Sequence, residues 1–211
     1  MARGRFITIE GGEGAGKSTQ IGRLGAALRR HGPEVVETRE PGGAPGALEI
    51  RKLLVEGATD RWDAVSELLL HSAARRDHII RTIEPALARG AWVVCDRFAD
   101  STMAYQGYGH GLPRDTIDSV TRVAVDGCWP DLTLILDAPV DIGLQRAKHR
   151  GGGAEDRYER MGTAFHERLR QGFHEIARRD PQRCRLIDAT GSPDAVADAI
   201  WLAVREPFGL T

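Results

Sequence analysis

The 211-residue sequence has no asparagine, only three lysines among its 29 basic residues, and no long run of apolar residues. Without asparagine the chain cannot contain the N-K-x-D motif with which GTP-switch proteins read guanine, and it also lacks the L-S-G-G-Q signature of transporter ATPases. The formal net charge of -1 at pH 7 argues against a nucleic-acid-binding surface, because such surfaces are normally basic. These absences exclude two classes of nucleotide-binding protein and disfavour a nucleic-acid partner.

Cysteine is also scarce, and Cys95, Cys128 and Cys184 have no C-x-x-C spacing. An odd, scattered set of this kind is typical of buried free thiols in a reducing compartment. Residues 1–5 carry no signal-type hydrophobic region, and no apolar run is long enough for a transmembrane helix. We therefore expect a cytoplasmic protein that binds neither a membrane nor nucleic acid and folds as one domain over residues 1–211.

Short β-branched segments alternate with longer helical patterns along the chain. The candidate strands cover residues 6–9, 35–38, 92–95, 132–136 and 186–187. The helical patterns cover residues 17–30, 47–55, 64–88, 115–125, 141–150, 158–178 and 193–204. Alternation of this kind is typical of a parallel sheet with helices on both faces. The sequence therefore predicts an α/β fold with a five-stranded parallel sheet flanked by helices.

A glycine-rich segment follows the first predicted strand and opens the first predicted helix. It has the G-x-x-x-x-G-K-[ST] pattern in the strand–loop–helix setting that this motif requires. Its residues are Gly11, Gly12, Glu13, Gly14, Ala15, Gly16, Lys17, Ser18 and Thr19. The glycines let backbone N–H groups face phosphate oxygens, and the start of the helix adds further donors. Lys17 offers a charge for the terminal phosphates and Ser18 a hydroxyl for Mg2+, so we expect the chain to bind a nucleoside triphosphate.

An acidic residue stands at the end of the third predicted strand. Asp96 follows residues 92–95 and is itself followed by Arg97. Because ligands of an open parallel sheet lie at the carboxyl ends of the strands, Asp96 is expected near the phosphate loop. There it would hold Mg2+ directly or through water, and it is a better candidate than Asp137. A strand-end cap or an ion pair with Arg97 is the alternative.

Three consecutive glycines flanked by arginines separate two predicted helices. The segment reads R-G-G-G-A-E-D-R from Arg150 to Arg157. This composition is typical of a mobile flap, and we expect a short lid over about residues 148–158. An ordinary flexible surface loop is the alternative.

Four segments together resemble the bacterial thymidylate kinases. They are E-G-G-E-G-A-G-K-S-T (residues 10–19), T-R-E-P-G-G (38–43), D-R-F-A-D-S-T-M-A-Y-Q-G (96–107) and P-D-L-T-L-I-L-D (130–137). The phosphate loop alone is generic, whereas the second and third segments are highly specific together. The resemblance extends from Phe6 to the last helix and implies a P-loop kinase fold. It also implies a homodimer that uses Mg2+ to transfer the γ-phosphoryl group of ATP to thymidine monophosphate (dTMP), giving dTDP and ADP.

The same resemblance implies which residues carry the reaction. Lys17, Arg97 and Glu13 are implied as catalytic residues. Family members without an arginine in the phosphate loop carry a catalytic arginine in the lid, and Arg157 matches it best, with Arg150 and Arg146 as alternatives. Arg146 is otherwise expected over the adenine ring of ATP or on a solvated helix face. The implied dTMP-binding residues are Glu13, Pro41, Arg51, His71, Arg75, Arg97, Phe98, Ser101, Thr102, Tyr105 and Gln106.

Within this set the resemblance implies separate tasks. Arg97 and Arg51 clamp the acceptor phosphate, and Glu13 lies near the 3′-hydroxyl of the acceptor sugar. Tyr105 crowds the 2′ position and disfavours ribonucleotides. The base edge is read by Ser101, Thr102 and Arg75, while Phe98 and Pro41 wall the pocket.

One position departs from the family, in which a phenylalanine often stacks on thymine one helical turn before the base-reading arginine. This chain has His71 there, four residues before Arg75. Either the imidazole stacks on the base, or Leu70 or another residue forms the wall and His71 is solvated.

His166 and His174 are expected on the surface.

Two other functions are compatible with the phosphate loop. A related nucleotide kinase would differ in base choice, which the departure at His71 allows. A P-loop regulatory ATPase would use ATP without a small acceptor, but it would not need the segment from Asp96 to Gln106. For the homodimer, residues 64–70 and 117–125 are expected to supply apolar helix faces.

Overall fold

A five-stranded parallel β-sheet forms the centre of the computed structural model, which describes residues 3–149 and 157–210. The strands are β1 (Phe6–Gly11), β2 (Val35–Arg39), β3 (Trp92–Asp96), β4 (Leu132–Asp137) and β5 (Cys184–Asp188), in the spatial order β2-β3-β1-β4-β5. All five predicted strands are confirmed, and each extends beyond its predicted residues. The register places Ile9 beside Asp96 and Gly11 beside Leu136. The carboxyl end of β1 therefore lies between those of β3 and β4, where an open parallel sheet binds its ligands.

Helices cover both faces of this sheet, as predicted. They are α1 (Lys17–Arg30), α2 (Pro45–Val55), α3 (Ala64–His78), α4 (Glu84–Ala88), α5 (Ala99–Thr102), α6 (Arg114–Val125), α7 (Val140–His149), α8 (Thr163–Arg179) and α9 (Pro193–Phe208). On one face, Ile7 and Ile9 of β1 pack with apolar residues of α1 and α9. Successive strand side chains point to opposite faces, so Phe6, Thr8 and Glu10 lie toward the layer that contains α5 and α6.

Two π-helical segments modify the helical pattern. Ile79–Ile83 links α3 to α4, so the helix predicted over residues 64–88 changes its hydrogen-bond register. Pro85 accounts for the change, because proline donates no backbone hydrogen bond and its ring clashes with the carbonyl group four residues earlier. The second segment, Met103–Gly109, follows α5 in a stretch where the sequence pattern predicts no helix.

The start of α8 differs from the prediction. The helical pattern begins at residue 158, but the helix begins at Thr163 with Gly162 as its N-cap. Before it, Arg157 and Tyr158 lie in turns and hydrogen-bond to Glu67 of α3. Residues 150–156 lie outside the described residues, and with them Arg150 and most of the predicted lid.

The expectations for cysteine and histidine burial have mixed outcomes. Cys95, Cys128 and Cys184 are buried free thiols, as predicted. His174 is exposed as predicted, whereas the prediction for His166 is wrong because this residue is buried. His166 lies three residues before Leu169 and seven before Phe173, and all three are buried on one face of α8. This helical spacing indicates that His166 faces the core.

No helix within residues 3–149 and 157–210 is both long enough and apolar enough to cross a membrane.

Candidate active site

The phosphate loop joins β1 to α1 at the carboxyl edge of the sheet. Gly14 and Gly16 have φ values of 67° and 91°, in the left-handed region that favours glycine. A Cβ atom on Gly14 would also lie 1.9 Å from the carbonyl oxygen of Gly143 in α7, so a side chain has no room there. Gly16 caps α1 without a side chain, which leaves the first N–H groups of the helix available to an anion.

Lys17 folds back over this loop. Its Nζ donates to the carbonyl oxygens of Gly12 at 2.8 Å and Gly11 at 3.1 Å. Burial, and then the charge of Arg97, lower the pKa of Lys17 to about 8. Burial disfavours the charged form, whereas an incoming phosphate would favour it. The loop therefore holds a cation whose charge a bound triphosphate would stabilise.

The loop separates two cavities, which we call the main cavity and the side cavity. The main cavity, of about 200 Å³, is lined by Glu13, Gly14, Ala15, Gly16, Lys17, Ser18, Arg39, Glu40, Pro41, Arg51, Val55, His71, Arg75, Asp96, Arg97, Phe98, Ser101, Thr102, Tyr105, Gln106, Tyr158 and Glu159. The side cavity, of about 300 Å³, is lined by Gly14, Ala15, Gly16, Ser18, Thr19, Gln20, Arg146, Ala189, Gly191, Pro193 and Val196. The structure thus brings all the predicted acceptor-binding residues together in the main cavity. It places Arg146 and Thr19 on the other side of the loop.

The end of β3 faces the start of α1. Ser18 Oγ donates to Asp96 Oδ2 at 3.2 Å, while Asp96 Oδ1 is buried and has no hydrogen-bond partner among the described residues. A hydroxyl and a carboxylate oxygen suit Mg2+, which usually takes its other ligands from phosphates and water. Within the described ranges, no group of three or more His, Cys, Asp or Glu side chains would hold a metal by itself. Asp137, the weaker candidate, instead accepts two hydrogen bonds from Arg170.

Arg97, Glu13 and Tyr105 form a cluster beside the loop. Arg97 Nη2 donates to Glu13 Oε1 at 3.0 Å, and its Nη1 donates to the Gly11 carbonyl oxygen at 2.9 Å. Tyr105 OH donates to the same Glu13 oxygen at 2.5 Å, with the Arg97 guanidinium 4.9 Å from the ring centroid. Burial works to raise the pKa of Glu13, but Arg97, Lys17 and Tyr105 together lower it to about 2. Glu13 is therefore a carboxylate at any pH where the fold operates.

Two further arginines line the main cavity near the end of β2. Arg51 of α2 donates from Nη1 to the Pro41 carbonyl oxygen at 2.8 Å. Arg39 is exposed, and its guanidinium has no hydrogen-bond or ion-pair partner in the part of the chain that the structure describes. The sequence interpretation missed Arg39, although its place at a strand end within T-R-E-P-G-G was a usable signal. Both cations lie where an anion in the cavity would meet them.

Arg75 and Gln106, which both line the main cavity, each have one buried polar atom without a hydrogen-bond partner among the described residues. Arg75 donates from Nε to Glu40 at 2.8 Å and from Nη2 to Phe98 O and Thr102 Oγ1, while its buried Nη1 has no partner among the described residues. Gln106 Nε2 donates to Glu67 at 3.0 Å, and Gln106 Oε1 is buried without a partner there. A carboxylate only accepts, so this contact fixes which amide atom of Gln106 is left over. A buried group of this kind is costly unless a ligand pairs with it.

Two hydroxyl groups that are expected to read the base edge form hydrogen bonds within the protein. Ser101 Oγ is in contact with Glu10 Oε2 at 2.5 Å and with Arg97 Nη1 at 3.2 Å. Thr102 Oγ1 accepts from Arg75. Both residues line the main cavity, but in this structure their contacts position the two arginines.

His71 lines the main cavity and contacts Tyr158. Tyr158 OH donates to Glu67 at 3.1 Å, and His71 Nε2 lies 3.0 Å from the same hydroxyl oxygen. The tyrosine hydrogen is directed to Glu67, so we assign the hydrogen of this second contact to His71 Nε2. Burial, and then Arg75, lower the pKa of His71 to about 3, so the imidazole is neutral. The structure thus places His71 in the cavity wall rather than in solvent; Tyr158 and Glu159 are wall residues that the sequence interpretation missed.

Arg157, which the resemblance implies as the catalytic lid arginine, contacts α2, α3 and the segment between them in this structure. Its side chain is fully buried and does not line the main cavity. It donates to the carbonyl oxygens of Leu54, Ala58 and Thr59 and forms a short ion pair with Glu67. A role at the transferring phosphoryl group would require this guanidinium to leave four oxygen partners. The pairing of Arg157 with Glu67 could not be predicted from the sequence, because Glu67 precedes Arg157 by 90 residues along the chain.

Arg146 is held at the rim of the side cavity. Its Nη1 donates to the Ala189 carbonyl oxygen at 2.9 Å and its Nη2 to that of Thr190 at 3.3 Å. These contacts fix a planar cation beside the cavity that opens on the phosphate loop. Stacking of Arg146 on the adenine ring of ATP stays a prediction.

Comparisons with known proteins show the family of this chain. The family model described as "Thymidylate kinase" matches residues 9–200. A thymidylate kinase of Caulobacter vibrioides is 59% identical over 210 residues, covering 100% of both chains, and one of Bradyrhizobium sp. (strain ORS 278) is 54% identical over 205 residues, covering 97% of this chain and 91% of the relative. The crystal structure of thymidylate kinase from Ehrlichia chaffeensis superposes with a TM-score of 0.78 at 33% identity, covering 96% of this chain and 99% of that one.

Proposed function

This chain belongs to the thymidylate kinase family, and from that premise we propose that it transfers the γ-phosphoryl group of ATP to dTMP, giving dTDP and ADP for dTTP biosynthesis. The observation that carries the proposal is that two residues lining the main cavity each have one buried polar atom without a partner among the described residues, the Nη1 donor of Arg75 and the Oε1 acceptor of Gln106. Thymine offers the complementary pair on one edge, a carbonyl acceptor at O4 and a donor at N3–H. Cytosine offers the opposite pair at the same positions and would leave both protein groups unsatisfied.

The chemistry requires charge neutralisation more than covalent help. The phosphate of dTMP is largely dianionic at neutral pH, since its second pKa is about 6, and it needs no general base. Two anions that repel each other must instead be brought together. Lys17 neutralises the donor side, and Arg97 and Arg51 neutralise the acceptor side. Arg39 adds a further cation to the same cavity.

The Ser18 and Asp96 pair is suited to hold Mg2+ between the phosphate loop and β3. When bound with ATP, such an ion would neutralise phosphate charge and orient the terminal phosphates. The orphaned Asp96 Oδ1 is the observation that supports this placement. Magnesium dependence is therefore part of the proposal.

The sugar of the acceptor is proposed to lie against Tyr105 and Glu13. The Tyr105 hydroxyl is held by Glu13 at 2.5 Å, so the ring is fixed against the cavity. A fixed ring can exclude a 2′-hydroxyl, while the second oxygen of the ionised Glu13 can accept from a 3′-hydroxyl. The arrangement supports a preference for deoxynucleotides.

A coupled ADP-release assay tests the proposed function. Turnover with MgATP is measured with the monophosphates of thymidine, deoxyuridine, deoxycytidine, deoxyguanosine and uridine. We expect dTMP to have the highest kcat/KM and the ribonucleotide a much lower one. Equal turnover of dTMP and deoxycytidine monophosphate would contradict the base-edge argument. ATP hydrolysis without any small acceptor would favour a regulatory ATPase instead.

The value of kcat/KM is expected to decrease on both the acidic and the alkaline side of neutrality. For ATP the decline begins near pH 8, because the Lys17 of the free enzyme, with a pKa of about 8, loses its proton and its charge as the pH rises. For dTMP the decline begins below about pH 6, as the acceptor phosphate takes up a proton. Glu13 and His71, with pKa values of about 2 and 3, do not titrate in between. An ATP profile that stays flat from pH 7 to beyond 9 would contradict the role of Lys17.

His71→Ala is expected to raise the KM for dTMP about tenfold, because stacking of one base on a ring contributes roughly that factor or more. His71→Phe keeps a ring but loses the contact with Tyr158 and is expected to fall between the wild type and the alanine variant. His174→Ala, at an exposed position of α8, is the control. Steady-state kinetics with dTMP as the varied substrate make the measurement, and an unchanged KM in His71→Ala would exclude His71 from the base wall.

We further propose that the protein acts as a homodimer in the cytoplasm. Val65 and Leu69 on α3, and Val123 on α6, are large apolar side chains that are 45%, 54% and 79% exposed. Since α3 packs against α6, these side chains lie on neighbouring helices and form a candidate interface. Sedimentation should give a dimer for the wild type and a monomer for Leu69→Glu combined with Val123→Glu. A wild-type monomer at micromolar concentration would contradict the proposal.

A further inference from the structure

A buried carboxyl group that the proposed reaction does not use lies directly before the phosphate loop. Glu10 is fully buried near the end of β1, on the sheet face that points toward α5. Its Oε1 accepts the backbone N–H of Phe98 at 2.7 Å, and its Oε2 contacts Ser101 Oγ at 2.5 Å. Burying such a group is costly unless its oxygens are paired, so these two contacts hold Glu10 in one position.

Both of these contacts connect Glu10 to Arg97. The Phe98 N–H belongs to the peptide that directly follows Arg97, and Arg97 has a φ of 68°, which a residue with a side chain seldom adopts. Ser101 Oγ also accepts from Arg97 Nη1 at 3.2 Å. Glu10 therefore reaches Arg97 by two routes, one through the backbone and one through the guanidinium. Strain at a functional residue persists only where the surroundings hold it.

We propose that Glu10 is a positioning residue that holds the left-handed backbone of Arg97 and aims its guanidinium at the acceptor phosphate. This inference rests on the proposed function, because it assigns Arg97 to the phosphate of the acceptor. Glu10 itself does not line the main cavity, so a substrate bound there would not touch it. Its effect passes through Phe98 and Ser101.

The geometry does not depend on the protonation state of Glu10. Burial, and then Asp100, raise its pKa to about 8. As a carboxylate, Glu10 accepts from the Ser101 hydroxyl; as a carboxylic acid, it donates to the Ser101 oxygen. Either way the two oxygens stay in contact, and Oε1 keeps the N–H of Phe98. An amide at this position retains the same two contacts, whereas an aliphatic side chain retains neither.

A matched pair of ligands isolates the effect on the phosphate. Affinities for dTMP and for thymidine are measured by calorimetry, and their ratio gives the contribution of the phosphate group. Glu10→Leu is expected to reduce that ratio about 30-fold and leave the affinity for thymidine within about twofold, since hydrogen bonds to a charged group are involved. Glu10→Gln is expected to recover most of the ratio relative to Glu10→Leu. Glu49→Leu, at an exposed position of α2, is the control for the substitution itself.

Ser101→Ala keeps the inference testable if Glu10→Leu does not fold. It cuts the route to the guanidinium and leaves the contact with Phe98, so a reduction of the ratio of about fivefold is expected. Equal loss of dTMP and thymidine affinity, or an unchanged ratio in both variants, would overturn the inference. Failure of the proposed function has a different signature, because the wild type would then bind dTMP no more tightly than other deoxynucleotides.

Discussion

Lys17→Met is expected to lower the kcat of dTMP phosphorylation by about a thousandfold, the cost typical of removing one preorganised charge from a transition state. Methionine has a similar length and fills the same buried space, but it carries no charge. The two carbonyl groups that now accept from Lys17, those of Gly11 and Gly12, lose a donor that sits inside the loop. The affinity for dTMP should change little, since Arg97 and Arg51 hold that side.

The chain offers a matched control for this substitution. Lys52 is exposed on α2 and pairs with Glu49, so Lys52→Met removes the same charge away from the loop. Exposed pairs of this kind contribute at most about 1 kcal/mol, and the control should retain its turnover. Single-turnover kinetics with saturating MgATP separate the chemical step from binding. A kcat within tenfold of the wild type in Lys17→Met would show that the transferring phosphoryl group does not depend on this charge.

The sequence was most informative where a functional element is formed by residues that are close together along the chain. The phosphate loop needs only one strand, one turn and one helix in succession, so its place could be predicted from residues 6–30 alone. Asp96 could be placed beside it because the ends of parallel strands meet at one edge of a sheet, and the register confirms the neighbourhood of β1 and β3. Family resemblance then identified the residues that gather in the main cavity.

The sequence was least informative where a side chain finds its partner far along the chain. Glu67 is hydrogen-bonded to Arg157, Tyr158 and Gln106, and no local sequence pattern predicts these three partners. For the same reason Arg157 was expected in the lid but is buried against α3. Glu10 directly precedes the phosphate loop, yet its contacts with residues 98 and 101 form only when β1 and β3 are adjacent in the folded chain. Motif spacing predicts which residues share an element, but tertiary packing decides which residues pair.

Arg157→Met is expected to lower the free energy of unfolding by about 3–5 kcal/mol, the usual cost of leaving a buried charge without its partner. Glu67 would keep the donors of Gln106 and Tyr158 but lose its counter-ion. The carbonyl oxygens of Leu54, Ala58 and Thr59 would lose their donors as well. Urea unfolding measures the change, and Arg178→Met, at an exposed position of α8, is the control.

The double variant Arg157→Met with Glu67→Gln separates anchoring from catalysis. Because the buried charge is then removed together with its partner, stability should recover in part, by about 1–3 kcal/mol relative to Arg157→Met alone. If Arg157 acts by holding the chain against α3, kcat should recover along with stability, which is the result we expect from its contacts. If Arg157 instead leaves Glu67 and reaches the phosphoryl group, kcat should stay about a thousandfold below the wild type although the fold is restored. Turnover measured at a temperature where both variants are folded therefore assigns Arg157 to one of the two roles.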